Sequence, residues 1–87
     1  MQTLKIKSNS TPNKVAGAIA GELKANGAVE LVAVGPNPVN QAVKGIACAH
    51  GLATTDGYEF VCVRDCCDIE IEGKKRTAIK FTVTKTK

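Results

Sequence analysis

The sequence predicts an α+β fold, a two-layer sandwich of one mixed sheet with two helices on one of its faces. Three observations predict it. Two segments with helical periodicity each follow a short strand-like run. Both helices open at a proline beside a small polar residue. The chain then closes with two strand-like runs and no third helix. Two consecutive strand–helix units imply right-handed parallel crossovers, which place both helices on the same side. The last two strands form an antiparallel hairpin. The order is β-α-β-α-β-β, in a single domain spanning 1–87.

Each element has its own signal. Thr3–Lys7 alternates Leu4 and Ile6 with Lys5 and Lys7, the pattern of a strand with one buried face. Ser8–Ser10 is a loop. Thr11 is placed to cap a helix and Pro12 to occupy its first position, where no N–H is needed. Val15, Ile19 and Leu23 recur every four residues with Ala16 and Ala20 beside them, one apolar stripe that ends at Gly27. Gly17 and Gly21 lie inside that helix, and their four-residue spacing predicts close approach by another backbone.

Val29–Val34 is mostly apolar, as suits an interior parallel strand. Asn37 is then placed as cap and Pro38 as first residue of the second helix. Its stripe is Val39, Ala42, Val43, Ile46 and Ala47, with His50 in the last turn as a dipole partner and Gly51 closing it. Leu52–Gly57 reads as a loop. Tyr58–Arg64 and Arg76–Thr84 read as strands, joined by an extended arm, Ile69–Lys74, that folds back at Gly73. Lys85–Lys87 is expected to fray.

The chain is 87 residues long, 44% apolar and 23% charged, which suits a globular domain and excludes disorder. Its aromatic residues are Tyr58, Phe60 and Phe81, with no Trp. Single-stranded nucleic acid read by base stacking needs several exposed rings, so that class is excluded. The net charge of +4 is unevenly spread. Residues 1–28 hold four Lys against Glu22, residues 29–73 hold Lys44 and Arg64 against seven acids, and residues 74–87 hold six basic residues and no acid. Such segregation points to an anionic partner.

No apolar run reaches the ~20 residues of a membrane span, and no signal peptide opens the chain, so a cytoplasmic protein without membrane attachment is expected. Cys48, Cys62, Cys66 and Cys67 then read as reduced thiols, with Cys48 and Cys62 as small core groups. The C-x3-C-C spacing matches no zinc module, and the one His lies on another element, so no metal is expected. There is no Ser/His/Asp or Cys/His arrangement, no G-x-G-x-x-G and no P-loop. Neither catalysis nor a cofactor is expected. The geometry offers something else. Both helices start at the carboxyl ends of parallel strands, so their N-termini share one edge, where free N–H groups attract anions.

Three motifs carry a family resemblance. Thr11-Pro12-Asn13-Lys14-Val15-Ala16-Gly17-Ala18-Ile19-Ala20-Gly21 resembles the first helix of the stage V sporulation protein S family. Asn40-Gln41-Ala42-Val43-Lys44 resembles its second-helix motif, and Arg76-Thr77-Ala78-Ile79-Lys80 after Gly73 resembles its last hairpin. The spacing agrees from Leu4 to Val83. The resemblance implies an Alba-like fold with strand order 1-2-4-3. It also implies a bacterial protein of sporulation and development, a homodimer and a nucleic-acid binder. Carried over by position, the contacts are Ser10, Asn13 and Lys14, then Asn40, Gln41 and Lys44, then Lys74, Lys75 and Arg76.

The sequence departs from the family pattern in three places. Pro36-Asn37-Pro38 stiffens the start of the second helix. Asp68, Glu70 and Glu72 weaken the arm's attraction to phosphate. Cys66-Cys67 replaces an aromatic-containing stretch. Two other functions fit the same residues: an oligomeric protein-interaction module that binds no nucleic acid, and a sensor of a small phosphorylated ligand.

Overall fold

The computed structural model describes residues Met1–Lys87. The elements are β1 (Gln2–Ile6), α1 (Pro12–Asn26), β2 (Ala28–Ala33), α2 (Pro36–Asp56), β3 (Phe60–Ile71) and β4 (Lys74–Lys85). The strands form one sheet in the order β1-β2-β4-β3. β1 and β2 are parallel, with Ile6 beside Ala33, while β4 runs antiparallel to both β2 and β3. The expected fold class and strand order are therefore those observed.

Period-two alternation selects the core face of the sheet. Val29, Leu31 and Ala33 of β2 and Phe81 and Val83 of β4 are buried with Ile6. Val15, Ala16, Ile19 and Leu23 of α1 lie against them, and Ala20 is buried beside them on the same helix. Side chains as fully buried as Ile19, Leu23 and Leu31 each contribute about 1.5–3 kcal/mol.

The helix ends follow from glycine and proline chemistry. Gly27 takes φ 80° and donates its N–H to the Leu23 carbonyl, closing α1 as expected. Thr11 is extended, as a cap residue must be, but its hydroxyl makes no cap hydrogen bond. In α2 the start lies two residues earlier than the sequence suggests. Gly35, at φ 90°, is the cap residue and Pro36 opens the helix. Asn37 and Pro38 fall inside its first turn, where a missing proline N–H costs nothing.

The second helix also runs beyond Gly51. Ala53 is buried in the core, and the Thr54 and Thr55 hydroxyls donate to the His50 and Gly51 carbonyls. Gly57, at φ 80°, supplies the left-handed terminus. Its N–H donates to Thr54 and that of Tyr58 to Ala53, a Schellman closure. Leu52–Asp56 is thus helix and not loop. His50 lies two turns before the end and meets Phe60 edge-on, with ring centroids 6.2 Å apart.

The stripe that α2 buries is Ala42, Gly45, Ala49 and Ala53. Of the expected stripe, Ala42 is buried and Val39 and Ile46 pack against the core, but Val43 is 50% exposed and Ala47 is exposed, so these two are turned away from it. Close helix approach occurs at Gly45, not at Gly17 or Gly21. A Cβ on Gly45 would lie 2.7 Å from Val15 Cβ, whereas Gly17 and Gly21 have nothing within 4 Å. Cys48 is exposed and Cys62 half-buried, so Cys48 does not serve as a core group.

The hairpin is longer than expected, because the anticipated arm is continuous with both strands. β3 and β4 each run 12 residues, about 40 Å at ~3.4 Å per residue, in a molecule 43 Å in its longest extent. The C-terminus does not fray at once. Glu59 N–H donates to the Lys87 carbonyl and Thr86 N–H to that of Glu59.

These contacts give opposite signs for two glycine substitutions. Gly45→Ala forces the helices apart and should cost about 1–3 kcal/mol. Gly17→Ala meets open space and should stabilise by about 0.5–1 kcal/mol. Thermal unfolding followed by circular dichroism checks both.

Candidate nucleic-acid interface

β1 and β2 end side by side at Ile6 and Ala33, so the loops that follow them open on one edge of the sheet. Both helices begin there. The first loop is tied by its own serine: Lys7 N–H donates to Ser10 Oγ at 2.9 Å, and Ser10 N–H donates to the Lys7 carbonyl. Gln41 Nε2 donates to the Ser8 carbonyl at 3.4 Å, joining that loop to α2. Ser10 and Gln41 therefore shape the edge. Asn13, Lys14, Asn40 and Lys44 are exposed on it. Gly45 lies beside the Pro12 carbonyl, so Lys44 is level with the first turn of α1.

The two helix N-termini differ as anion sites. Thr11, Asn13 and Lys14 begin α1 with free N–H groups. Pro36 and Pro38 have none, which leaves α2 with the N–H groups of Gly35 and Asn37. Side-chain cations must carry more of any anion contact here than helix dipoles do. Lys14 lines a cleft of about 240 Å³ with Lys5, Asn9, Ser10 and Thr11.

The arm overshoots this edge. β2 stops where Ala33 faces Ile79, so Lys74–Ala78 pairs only with Cys67–Ile71. Arg76 is three residues beyond the sheet edge rather than on it. The arm also leans toward β1. A cleft of about 400 Å³ is lined by Lys5, Lys7, Val34 and Pro38 from the edge and by Ile69, Glu70 and Ile71 from the arm. Lys5 and Lys7, which the sequence reading left out of the site, therefore belong to it. Their alternation with Leu4 and Ile6 marked a strand but not which end of the sheet they would reach.

The arm carries Lys74, Lys75 and Arg76 against Asp68, Glu70 and Glu72. Lys75 stands opposite Glu70, and Arg76 opposite Ile69. Neither forms an ion pair. The ion pairs are Lys24–Asp56 at 3.0 Å, where the two helices end, and Lys80–Glu30 at 3.4 Å on the open face of the sheet. Asp56 holds the Lys24 ammonium above its ordinary value through a hydrogen bond and its charge. Burial pushes the Cys62 thiol up. Lys5, Lys7, Lys14, Lys44, Lys74, Lys75 and Arg76 form no ion pair with an acidic side chain.

The chain matches the family model of stage V sporulation protein S over residues 2–86. The chain belongs to the stage V sporulation protein S family. That makes it a sporulation-related protein. No helix is long and apolar enough to cross a membrane. The stage V sporulation protein S match spans both helix entrances and the whole arm, so all the residues above lie within the family's own extent.

The tip of the arm holds a local strain. Glu72 and Gly73 both have positive φ, 50° and 78°, the signature of a two-residue type I′ turn. Glutamate is a poor first residue for that turn, and asparagine a good one. Glu72→Asn should therefore stabilise by about 1 kcal/mol, raising the melting temperature by about 4–8 °C. Glu72→Gln removes the same charge without the turn preference and should leave it nearly unchanged.

Proposed function

We propose that this stage V sporulation protein S family member is a non-enzymatic regulatory protein. It works in the cytoplasm as a homodimer and binds nucleic acid through the phosphate backbone. One observation carries the reading. Seven basic side chains from β1, its following loop, α1, α2 and the arm collect at one end of the molecule without an internal acidic partner. The two lysines that do have partners lie elsewhere. Seven basic residues against Asp68, Glu70 and Glu72 leave this end with a net positive charge, which suits a polyanion.

The mode of contact follows from what is missing. Exposed aromatic platforms are absent, since Tyr58 and Phe81 are buried and Phe60 is half-buried against the core. Base stacking therefore has no support. Asn40 and Asn13 are short, and Arg76 sits on an arm shared with three carboxylates. Phosphate contact with little sequence preference is the reading these groups favour.

A second reading has one observation in its favour. The outer edge of β3 is uncovered, which suits an oligomeric interaction module that needs no nucleic acid.

Fluorescence anisotropy with a short DNA duplex separates the two. If ~4–6 phosphates are neutralised, log affinity falls with log salt at a slope of roughly −4 to −5. Replacing Lys74, Lys75 and Arg76 by Ala should weaken binding and flatten that slope by roughly 2–3. An absence of binding at low salt, or binding indifferent to salt, supports the second reading.

A further inference from the structure

The outer edge of β3 is long and open. Phe60–Ile71 pairs with β4 on one side and with nothing on the other. Such an edge is a template for another strand unless it is blunted. This one has no proline, and its exposed side chains include Val61, Val63 and Ile71. The helix layer does not close over it either. Val39 and Val43 of α2 look across a groove of about 490 Å³ toward Arg64 and Cys66, with Ile79 and Phe81 between them.

The backbone of this edge has a defined phase. A two-residue turn makes Ile71 and Lys74 a hydrogen-bonded pair. Odd-numbered residues of β3 therefore bond into β4, and even-numbered ones turn their N–H and C=O outward. The Cys66 N–H accordingly donates to Asp65 Oδ1 at 2.9 Å, an exposed local contact.

We propose that this edge is a self-pairing surface: a second copy of the chain adds its β3 antiparallel to the first, about a two-fold axis through Cys66. The edge selects that partner because its sequence complements its own reverse at this register. Arg64 of each protomer stands opposite Asp68 of the other, with Glu70 diagonal to it. Val63 meets Ile69 and Val61 meets Ile71. The two Cys66 residues face each other. All these partners share a face, as opposed residues in a strand pair must.

Neighbouring registers are poorer. Centring on Arg64, Asp65 or Asp68 sets like charges opposite each other. Centring on Cys67 pairs Arg64 with Glu70 and Val63 with Ile71, but it sets Asp65 against Ile69 and leaves Val61 facing Gly73. The Cys66 register also supports the arm. Cys67–Ile71, whose partner stretch Lys74–Ala78 has no β2 neighbour, lies along Val61–Asp65 of the other protomer. The result is one sheet of eight strands, four from each copy.

This inference rests on the dimeric part of the reading above and not on nucleic-acid binding. Sedimentation velocity of the full chain, without nucleic acid, tests it. The native chain should be a dimer. Arg64→Asp or Asp68→Arg alone creates two like-charge contacts per dimer and should weaken association by about tenfold. The two changes together should restore it. A monomeric native chain overturns both this inference and the dimeric reading. A dimer indifferent to the single changes, or not restored by the pair, overturns this inference alone. A second measurement needs no variant: mild oxidation of the native protein with diamide, followed by peptide mapping. A link joining Cys66 to Cys66 supports the register, and links confined to Cys48 overturn it.

Discussion

The close approach of the two helices at Gly45 is the constraint on which the rest of the molecule depends. Gly45 has no side chain because Val15 Cβ and the Pro12 carbonyl occupy the space. With Ala42, Ala49 and Ala53 it gives α2 a buried stripe of small residues. Helices packed through small residues sit near each other, so the loops before them are drawn together as well. Gln41 then reaches the Ser8 carbonyl, and Lys44 comes level with the first turn of α1. The same rotation of α2 that buries its alanines turns Val43 out toward β3. One steric fact thereby shapes both the cationic edge and the uncovered groove.

Much of the fold was legible because it is written in periodicity and punctuation. Val15, Ile19 and Leu23 can share a face only on a helix, and Gly27 ends that helix as its conformational freedom predicts. The second helix was misread at both ends for one reason. Glycine and proline mark where a helix can start or stop, but tertiary burial decides which mark is used. Gly51 is a permissible terminus, yet stopping there would leave Ala53 outside the core, so the helix runs on to Gly57. Gly35 and Asn37 are each followed by a proline, so both can start the helix; the earlier start is the one used, with the Val39 N–H donating to the Gly35 carbonyl.

The candidate site was legible in composition but not in geometry. The sequence shows where Lys14, Lys44 and Arg76 fall along the chain, and the strand order brings them to one end. It does not show that Ser10 and Gln41 spend their hydrogen bonds on holding the edge together. Nor does it show that Lys5 and Lys7 face the arm, because that depends on how the hairpin leans across the sheet. Ser10 and Gln41, which looked like ligand contacts, are partly scaffolding, and the cations are the groups left without an internal partner.

The arm reconciles the acidic middle of the chain with a cationic end. Its three carboxylates and three basic residues cancel, so as a free lever it attracts a polyanion weakly. Asp68 and Glu70, however, lie on the even-numbered side of β3 that also carries Arg64, and Arg64 lines the open groove beside α2. Carboxylates that meet Arg64 of a second copy no longer oppose a phosphate. Pairing of that kind would uncover the charge of Lys74, Lys75 and Arg76 on the neighbouring strand. Assembly and anion binding are then linked through the two strands of one hairpin, and by thermodynamic reciprocity a polyanion that favours the paired state must itself promote the pairing.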